Sequence, residues 1–381
     1  MNIVQVTGMS SSKYGGIEKF FVYSAKKATE GLNRYILIYE SYPTSTRFVN
    51  DLIASGGEIY VMPSKGKNLL TFILKFFLFV KKNKIDVIHG HFNPAGDLAN
   101  FVGLLAGVKK RFKSLHSMIQ KPINGDLATT SQHIPLKTRI RIKLSTAISS
   151  KIFCVSYAIK NQYNQLTGYS QKRTVLYLGS EILPPKENRL TARKKLNLDP
   201  YKKYLLNIAM HVPGKKIEDC LQVLLYLLNR HPNIALIQIG GEANSMEYEE
   251  KLLDFVTQNK LEDHVIWVGL TDEVALYLNA ADLLLHLPAS EGLGLVAAEA
   301  LSLQKPVIVS NVGGLPELVI HGQNGFIVEP GDSKAASEYA LILLENSQKA
   351  NQLGKNSLAH IRRLFDVKIQ TQKYIASYAN N

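Results

Sequence analysis

LLLHLPASEGLGLVAAEAL, residues 283–301, decides how the rest of the chain is read. The run Leu283–Leu287, apolar but for His286, is the pattern of a strand in a parallel sheet covered by helices. Gly292 and Gly294 interrupt the pattern, and the Ala/Leu-rich run that follows is a strong helix former. Strand, glycine loop and helix in this order form the unit of an open α/β sheet. Ligands of such sheets bind beyond the carboxyl ends of the strands, where helix N-termini offer free N–H groups and a favourable dipole to phosphate.

The two glycines let backbone approach a ligand closely, so the amides of Gly294, Leu295 and Val296 open the helix in a geometry suited to a diphosphate. Glu291 precedes that start and Glu299 lies about two turns along, so one carboxylate can meet the sugar end of a ligand and the other its polyols further on. A Glu-x7-Glu pair alone is weak evidence, because an ordinary solvated helix with a capping acid carries it too.

The same alternation extends in both directions. Asn2–Thr7, Tyr35–Tyr39, Glu58–Val61, Val87–His91, Lys151–Val155 and Thr174–Tyr177 read as strands in the first half. Tyr204–Ile208, Ala235–Ile239, Val265–Val268, Leu283–Leu287, Val307–Val309 and Phe326–Val328 do so in the second. A chain of 381 residues is too long for one ordinary core and short for three. The expected fold class is therefore α/β, with two doubly wound Rossmann-like domains, residues 1–180 and 181–365. The polar, proline-containing stretch around Pro184 and Pro185 marks the boundary, and residues 366–381 form a C-terminal helix that can pack back on the first domain.

Composition narrows the classes. With 46% hydrophobic and 20% charged residues the chain is globular. Cys154 and Cys220 are its two cysteines, far apart and outside any CxxC pair, so neither a disulfide framework nor a thiolate zinc site is implied. Met1–Thr7 reads as a strand and lacks the basic and apolar regions of a secretory signal, which points to the cytoplasm. Leu69–Val80 is well short of the ~20 residues that a membrane-spanning helix needs, and Lys75 interrupts it.

Charge is distributed unevenly. Residues 1–180 hold 25 Lys+Arg against 8 Asp+Glu, a net +17, while the remainder nets −3 of the overall +14. A basic half favours an anionic partner: nucleic acid, an anionic lipid surface or a phosphorylated acceptor. No RNP-like, zinc-finger or helix-turn-helix pattern accompanies the charge, so no nucleic acid partner is expected.

A second glycine loop, Asn311-Val312-Gly313-Gly314-Leu315-Pro316-Glu317, follows the next strand, and His321-Gly322-Gln323-Asn324-Gly325-Phe326 comes after it. Residues 290–332 as a whole resemble the donor-binding core of glycosyltransferase family 4, a retaining family with the two-domain GT-B fold, in which the domains face each other across a cleft. The resemblance extends faintly over nearly the full chain. It implies an acceptor-side first domain and a second domain that binds a nucleotide sugar. It further implies that Glu291 contacts donor-sugar hydroxyls, that Glu299 contacts the ribose, and that the amides near Gly294, Leu295 and Val296 hold the diphosphate.

By the same resemblance Lys215, in Met210-His211-Val212-Pro213-Gly214-Lys215-Lys216, matches a lysine that neutralises the donor phosphates. The family's arginine five residues earlier is replaced by Met210. Either His211 or Lys216 substitutes for it, or phosphate binding is weaker, or activity has been lost. A charged hydrogen bond contributes about 1.5–3 kcal/mol, so one missing cation costs about ten- to a hundredfold in affinity. A catalytically weak GT-B partner subunit is thus the alternative to an active hexosyltransferase.

In the first domain Gly15 and Gly16 look like the paired glycines of the family's first loop, near phosphate and acceptor, although a Gly-Gly pair after a strand also serves simply to turn the chain. His116 matches the cleft histidine beside the reacting sugar and is the candidate for positioning or polarising groups there. His89 and His91 share one strand face, as a zinc-binding HxH pair would, but packed core histidines show the same spacing and no further ligand cluster accompanies them. No Asp-x-Asp metal signature is present either. The expectation is metal-independent transfer without a cofactor.

For the acceptor, Lys65, Lys67, Lys81, Lys82 and Lys84 flank Leu69–Val80, and Lys137, Arg139, Arg141 and Lys143 form a second basic stretch. Such segments suit an anionic membrane surface and a lipid-linked saccharide acceptor for surface polysaccharide. The segment Leu69–Val80 itself, apolar on every face, reads as a buried crossover helix.

Overall fold

The structure is a computed structural model that describes residues 1–64, 66–92, 94–119, 121–123, 126–128, 134–182, 187–241 and 246–379. Residues 183–186, expected at the domain boundary, and Lys65 lie outside the described residues. The chain divides into two compact units: Met1–Ser117, Ser131–Gly179 and Val367–Asn381 form unit 1, and Met118–Thr130 with Ser180–Asp366 form unit 2.

In chain order the strands are β1 (Asn2–Val6), β2 (Arg34–Tyr39), β3 (Gly57–Val61), β4 (Val87–His91), β5 (Lys110–Leu115), β6 (Lys121–Ile123), β7 (Asp126–Ala128), β8 (Lys151–Cys154), β9 (Arg173–Val175), β10 (Lys203–Ile208), β11 (Ile234–Ile239), β12 (Val265–Gly269), β13 (Leu283–His286), β14 (Val307–Ser310) and β15 (Phe326–Val328). Unit 1 holds a parallel sheet in the order β3-β2-β1-β4-β5-β8-β9, and unit 2 a parallel sheet in the order β12-β11-β10-β13-β14-β15. Both are doubly wound and Rossmann-like. The direction of winding reverses between β1 and β4 in one sheet and between β10 and β13 in the other, which is where such sheets open a ligand crevice.

Strand β5, which leads into His116, has no clear bounds in the sequence, because Lys110, Arg111 and Lys113 break its apolar pattern. The fold buries Lys113 regardless, pairing its ammonium with Asp97 and with Ser145 Oγ, the latter at 2.7 Å. The hairpin β6–β7 was not anticipated either.

The core of unit 2 forms where Leu205, Leu236, Leu283 and Ile308 of the sheet meet Ile217, Leu221 and Leu224 of the helix Ile217–Leu228. In unit 1, Val4, Ile36 and Ile88 meet Phe72, Phe76 and Val80 of the helix Leu69–Lys82. That helix is the expected crossover between β3 and β4, but it is not buried on every face. Phe72, Phe76 and Val80 recur every fourth residue and face the sheet, whereas Leu70 and Leu74 are 78% and 62% exposed. A sheet covers only one stripe of a helix, and here nothing described covers the opposite leucines.

The helix Val367–Ala379 begins beyond Asp366 and belongs to unit 1. Tyr374 packs edge-on against Phe20 and Phe153, with ring centroids 4.8 and 4.9 Å apart. Cys154 and Cys220 are both buried free thiols.

The two faces of the helix Leu69–Lys82 should respond differently to truncation. Phe76→Ala is expected to cost about 3–5 kcal/mol of unit 1 stability and Leu74→Ala less than about 0.5 kcal/mol. Chemical denaturation of the two variants measures both. Equal losses would contradict this assignment of faces.

Candidate functional site

In unit 2 the switch point between β10 and β13 brings together residues that lie far apart in sequence. Pairing of the two strands extends over Leu205–Leu283 and Leu206–Leu284. Asn207 then bridges them, its Nδ2 donating to Leu285 O at 2.7 Å. The loops that follow are tied by Ala289 N–H donating to Gly214 O at 3.0 Å. Lys215, in the short helical turn after β10, thereby reaches Glu291, in the loop after β13, and its Nζ donates to Oε2 at 2.7 Å.

Glu291 is held from three sides. His286 Nε2, at the end of β13, lies 3.1 Å from Oε2, and the N–H of Gly292 donates to Oε1 at 3.0 Å. Burial alone would push this carboxyl up, but the Lys215 charge and the His286 hydrogen bond outweigh it and hold the group well below the usual carboxylate range. Glu291 is therefore an ionised acceptor and not a proton donor at neutral pH.

Gly294 sits at φ 94° immediately before the helix Leu295–Ser302, and no side chain caps that helix. The first-turn N–H groups of Leu295 and Val296 therefore have no intrahelical acceptor, and the positive end of the helix dipole lies just beyond Glu291. A Cβ on Gly294 would lie 2.4 Å from Leu315 Cδ2, and one on Gly313, at φ 53°, would lie 1.7 Å from the carbonyl oxygen of Glu291. The second glycine loop thus supports the first by direct backbone contact. Glu299 is the fifth residue of the helix. It therefore lies a little over one turn from the helix start at Leu295, closer than the two turns expected.

The polar side chains near Met210 face acids. His211 Nδ1 lies 3.2 Å from Glu249 Oε1, and its buried Nε2 has no partner among the described residues. Lys216 Nζ lies 3.6 Å from Glu218.

In unit 1, Gly15 caps the helix Gly16–Glu30, and its N–H donates to Glu18 Oε2 at 3.0 Å while Ser11 Oγ donates to Oε1 at 2.8 Å. Glu18 thus shapes the Gly15–Gly16 loop from within; burial raises its pKa against the pull of Ser11. His116 follows β5. Its Nε2 lies 2.9 Å from His91 Nδ1, its ring stacks on Phe92 at 4.5 Å, and burial lowers its pKa to about 3. Phe92 adopts φ 48°, an unusual conformation for an aromatic residue and one that stores strain beside His116.

His89 and His91 are fully buried, and each uses both ring nitrogens: His89 with Tyr378 and Ser114, His91 with Gln5 and His116. This is the bonding of packed histidines. Among the described residues no group of three or more His, Cys, Asp or Glu could hold a metal.

The sequence does not single out His286, Asn207 or Glu18, although it marks Gly313 as part of the second glycine loop. Only Glu18 had a local signal, the three-residue spacing of a capping box from Gly15. His286 and Asn207 act through contacts between neighbouring strands and loops that no linear spacing reveals.

Two family models cover most of the chain: glycosyltransferase family 4 over residues 14–181, and glycosyl transferases group 1 over residues 188–360. The chain is 24% identical over 302 residues to an N-acetyl-alpha-D-glucosaminyl L-malate synthase of Bacillus anthracis, spanning 78% of this chain and 74% of that one. It is 29% identical over 167 residues to the capsular polysaccharide biosynthesis glycosyltransferase CapM of Staphylococcus aureus, 44% of this chain and 43% of that one. The crystal structure of Anabaena Alr3699/HepE in complex with UDP and glucose superposes with a TM-score of 0.86 over 100% of both chains at 21% identity, a likeness of fold.

The depressed pKa of Glu291 has a consequence for stability. Its contribution is complete above the unfolded carboxylate pKa of about 4.5 and is lost as pH falls toward the lower folded value. Glu291→Gln should therefore flatten the loss of thermal stability between about pH 5 and 3 relative to the parent. Identical acid slopes in calorimetric scans would show that the pairing carries no such linkage.

Proposed function

The chain belongs to glycosyltransferase family 4, the retaining family with the two-domain GT-B fold, and on that premise we propose that it moves a hexose or N-acetylhexosamine from a UDP-sugar to a lipid-linked saccharide in polysaccharide biosynthesis. The observation that carries this reading is the meeting of Lys215, Glu291 and the uncapped N-terminus at Gly294 on adjacent loops of one switch point. A diphosphate set against the first-turn amides would share Lys215 with Glu291. Glu291, ionised and acceptor-only, would then take hydrogen bonds from donor-sugar hydroxyls, and Glu299 from the ribose.

Bond cleavage passes through an oxocarbenium-like state and leaves negative charge on the departing diphosphate. Lys215 and the helix amides supply preorganised positive charge where it develops, so transfer in this reading needs no metal. On the acceptor side, the Gly15–Gly16 loop and His116 position the reacting groups. A UDP-sugar donor is supported by the bound UDP and glucose of the Anabaena neighbour and by the N-acetyl-glucosaminyl name of the Bacillus relative. CapM supports a polysaccharide product.

Met210 favours one competing reading, a catalytically weak partner subunit that keeps the fold. Lys216 faces Glu218 and His211 Nδ1 faces Glu249, so neither presents an uncommitted charge like the missing arginine's. Turnover separates the two readings.

The acceptor partner is argued from unit 1. Helices Leu69–Lys82, Ala95–Leu105 and Leu136–Ile148 expose Leu70, Leu74, Phe101, Leu136 and Leu144. A groove of about 300 Å³ lined by Leu69, Leu98, Phe101, Leu144 and Ile148 opens among them. Exposed apolar residues set among lysines suit the surface of an anionic bilayer, each cation adding about 1 kcal/mol. No described helix is long and apolar enough to cross a membrane. In this reading the protein works in the cytoplasm, peripheral at the inner face of the membrane.

With a panel of nucleotide sugars and bacterial lipid extract, the purified protein should transfer from a UDP-sugar, and Lys215→Ala or Glu291→Ala should lower kcat/KM by about a hundredfold or more. Parental turnover in both variants would defeat the site assignment, and no turnover with any donor would favour the weak-partner reading. Cosedimentation with vesicles should show binding to anionic and not to zwitterionic lipid, weakened by salt and by Leu70→Glu with Leu74→Glu. Equal binding to both lipids would argue against the membrane role.

A further inference from the structure

A buried polar chain in unit 1 runs from a backbone carbonyl to His116, and its protons can point only one way. Leu176 O can only accept, so the single hydroxyl proton of Tyr374 is donated to it at 2.8 Å. Tyr374 also hydrogen-bonds Ser114. Its proton is already committed, so Ser114 Oγ must be the donor there. Ser114 then accepts from His89 Nε2 at 2.8 Å.

Burial keeps His89 neutral, so its Nδ1 is bare and takes the hydroxyl proton of Tyr378 at 2.6 Å. Tyr378 can then only accept from Gln5 Nε2, at 3.1 Å, which turns the Gln5 oxygen toward His91 Nε2 at 2.7 Å. Facing an oxygen, His91 must carry its proton on Nε2. Burial keeps this ring neutral too, so its Nδ1 accepts from His116 Nε2 at 2.9 Å. His116 ends the chain with its proton on Nε2 and a bare, buried Nδ1 that has no partner among the described residues. Reversing any one link would set two protons or two lone pairs face to face in a buried site.

We infer that Tyr374 and Tyr378 of the C-terminal helix are positioning residues that lock His116 in the Nε2-protonated tautomer, so that its Nδ1 can act only as a hydrogen-bond acceptor and never as a proton donor at the reaction centre. The catalytic consequence rests on the reading of His116 as a residue of the reaction centre. The tautomer itself does not. A free neutral imidazole exchanges between two tautomers, and a chain anchored on a carbonyl removes one of them.

The test combines spectroscopy and kinetics on the full-length chain. Two-bond nitrogen–proton correlation spectra of protein labelled with 15N-histidine should show His116 protonated on Nε2 and bare on Nδ1. Tyr378→Phe, which removes one hydroxyl and keeps the ring, frees the Gln5 amide to turn. It should mix or invert the His116 tautomer and lower kcat about ten- to a hundredfold with donor KM unchanged. Ser114→Ala breaks the chain at a link outside the C-terminal helix and should do the same, which covers the case in which Tyr378→Phe fails to fold. A parent protein protonated on His116 Nδ1, or variants with the parental tautomer and kcat, overturns the inference. His116→Ala separates the two readings: parental turnover in that variant removes His116 from the reaction centre, while the parent spectrum still decides whether the chain is polarised.

Discussion

The ion pair between Lys215 and Glu291, beside the open N-terminus of the helix Leu295–Ser302, is the interaction on which the rest of unit 2 depends for its meaning. A buried carboxylate is costly unless it is paired and hydrogen-bonded, and here Lys215, His286 and the Gly292 amide all converge on one side chain. Such a constellation needs adjacent strand ends, a backbone that folds back on itself at Gly294, and a second glycine loop close enough to touch Glu291. The order of strands in the sheet supplies the first condition. Gly294 and Gly313 supply the others, because a Cβ at either would strike its neighbour.

Unit 1 uses the same sheet for a different purpose. Among the described residues its switch point carries no comparable ion pair; it carries buried neutral histidines and an interior carboxyl, Glu18, that shapes the Gly15–Gly16 loop. Positive charge is concentrated on this unit, with lysines flanking the exposed leucines of the helix Leu69–Lys82. The division suits the proposed function: charge that would stabilise a leaving diphosphate lies in unit 2, and charge that would recruit a surface lies on the outside of unit 1.

Much of this was legible in the sequence. Alternating apolar runs gave the two doubly wound sheets, and the glycine loop after Leu283–Leu287 located the uncapped helix. The run Leu69–Val80 showed where legibility ends: uniform apolarity implied burial all round, but only the Phe72, Phe76 and Val80 stripe is covered, a matter of what packs against the helix. Strand β5 was hidden because Lys113 is buried through a partner, Asp97, that lies in another element. His286 and Asn207 were missed for the same reason, since their roles arise from strands adjacent in space and distant in the chain. The chain from Leu176 to His116 crosses β1, β4, β5 and the helix Val367–Ala379 and has no linear signature at all.

The account stands most directly on where a nucleoside diphosphate settles. Amide hydrogen exchange measured with and without saturating UDP reads this at peptide resolution. The prediction is slowed exchange in residues 292–298 and in the adjoining loop 311–316, with Lys215→Ala weakening the effect. Protection confined to other segments, with residues 292–298 exchanging as in the free protein, would contradict it.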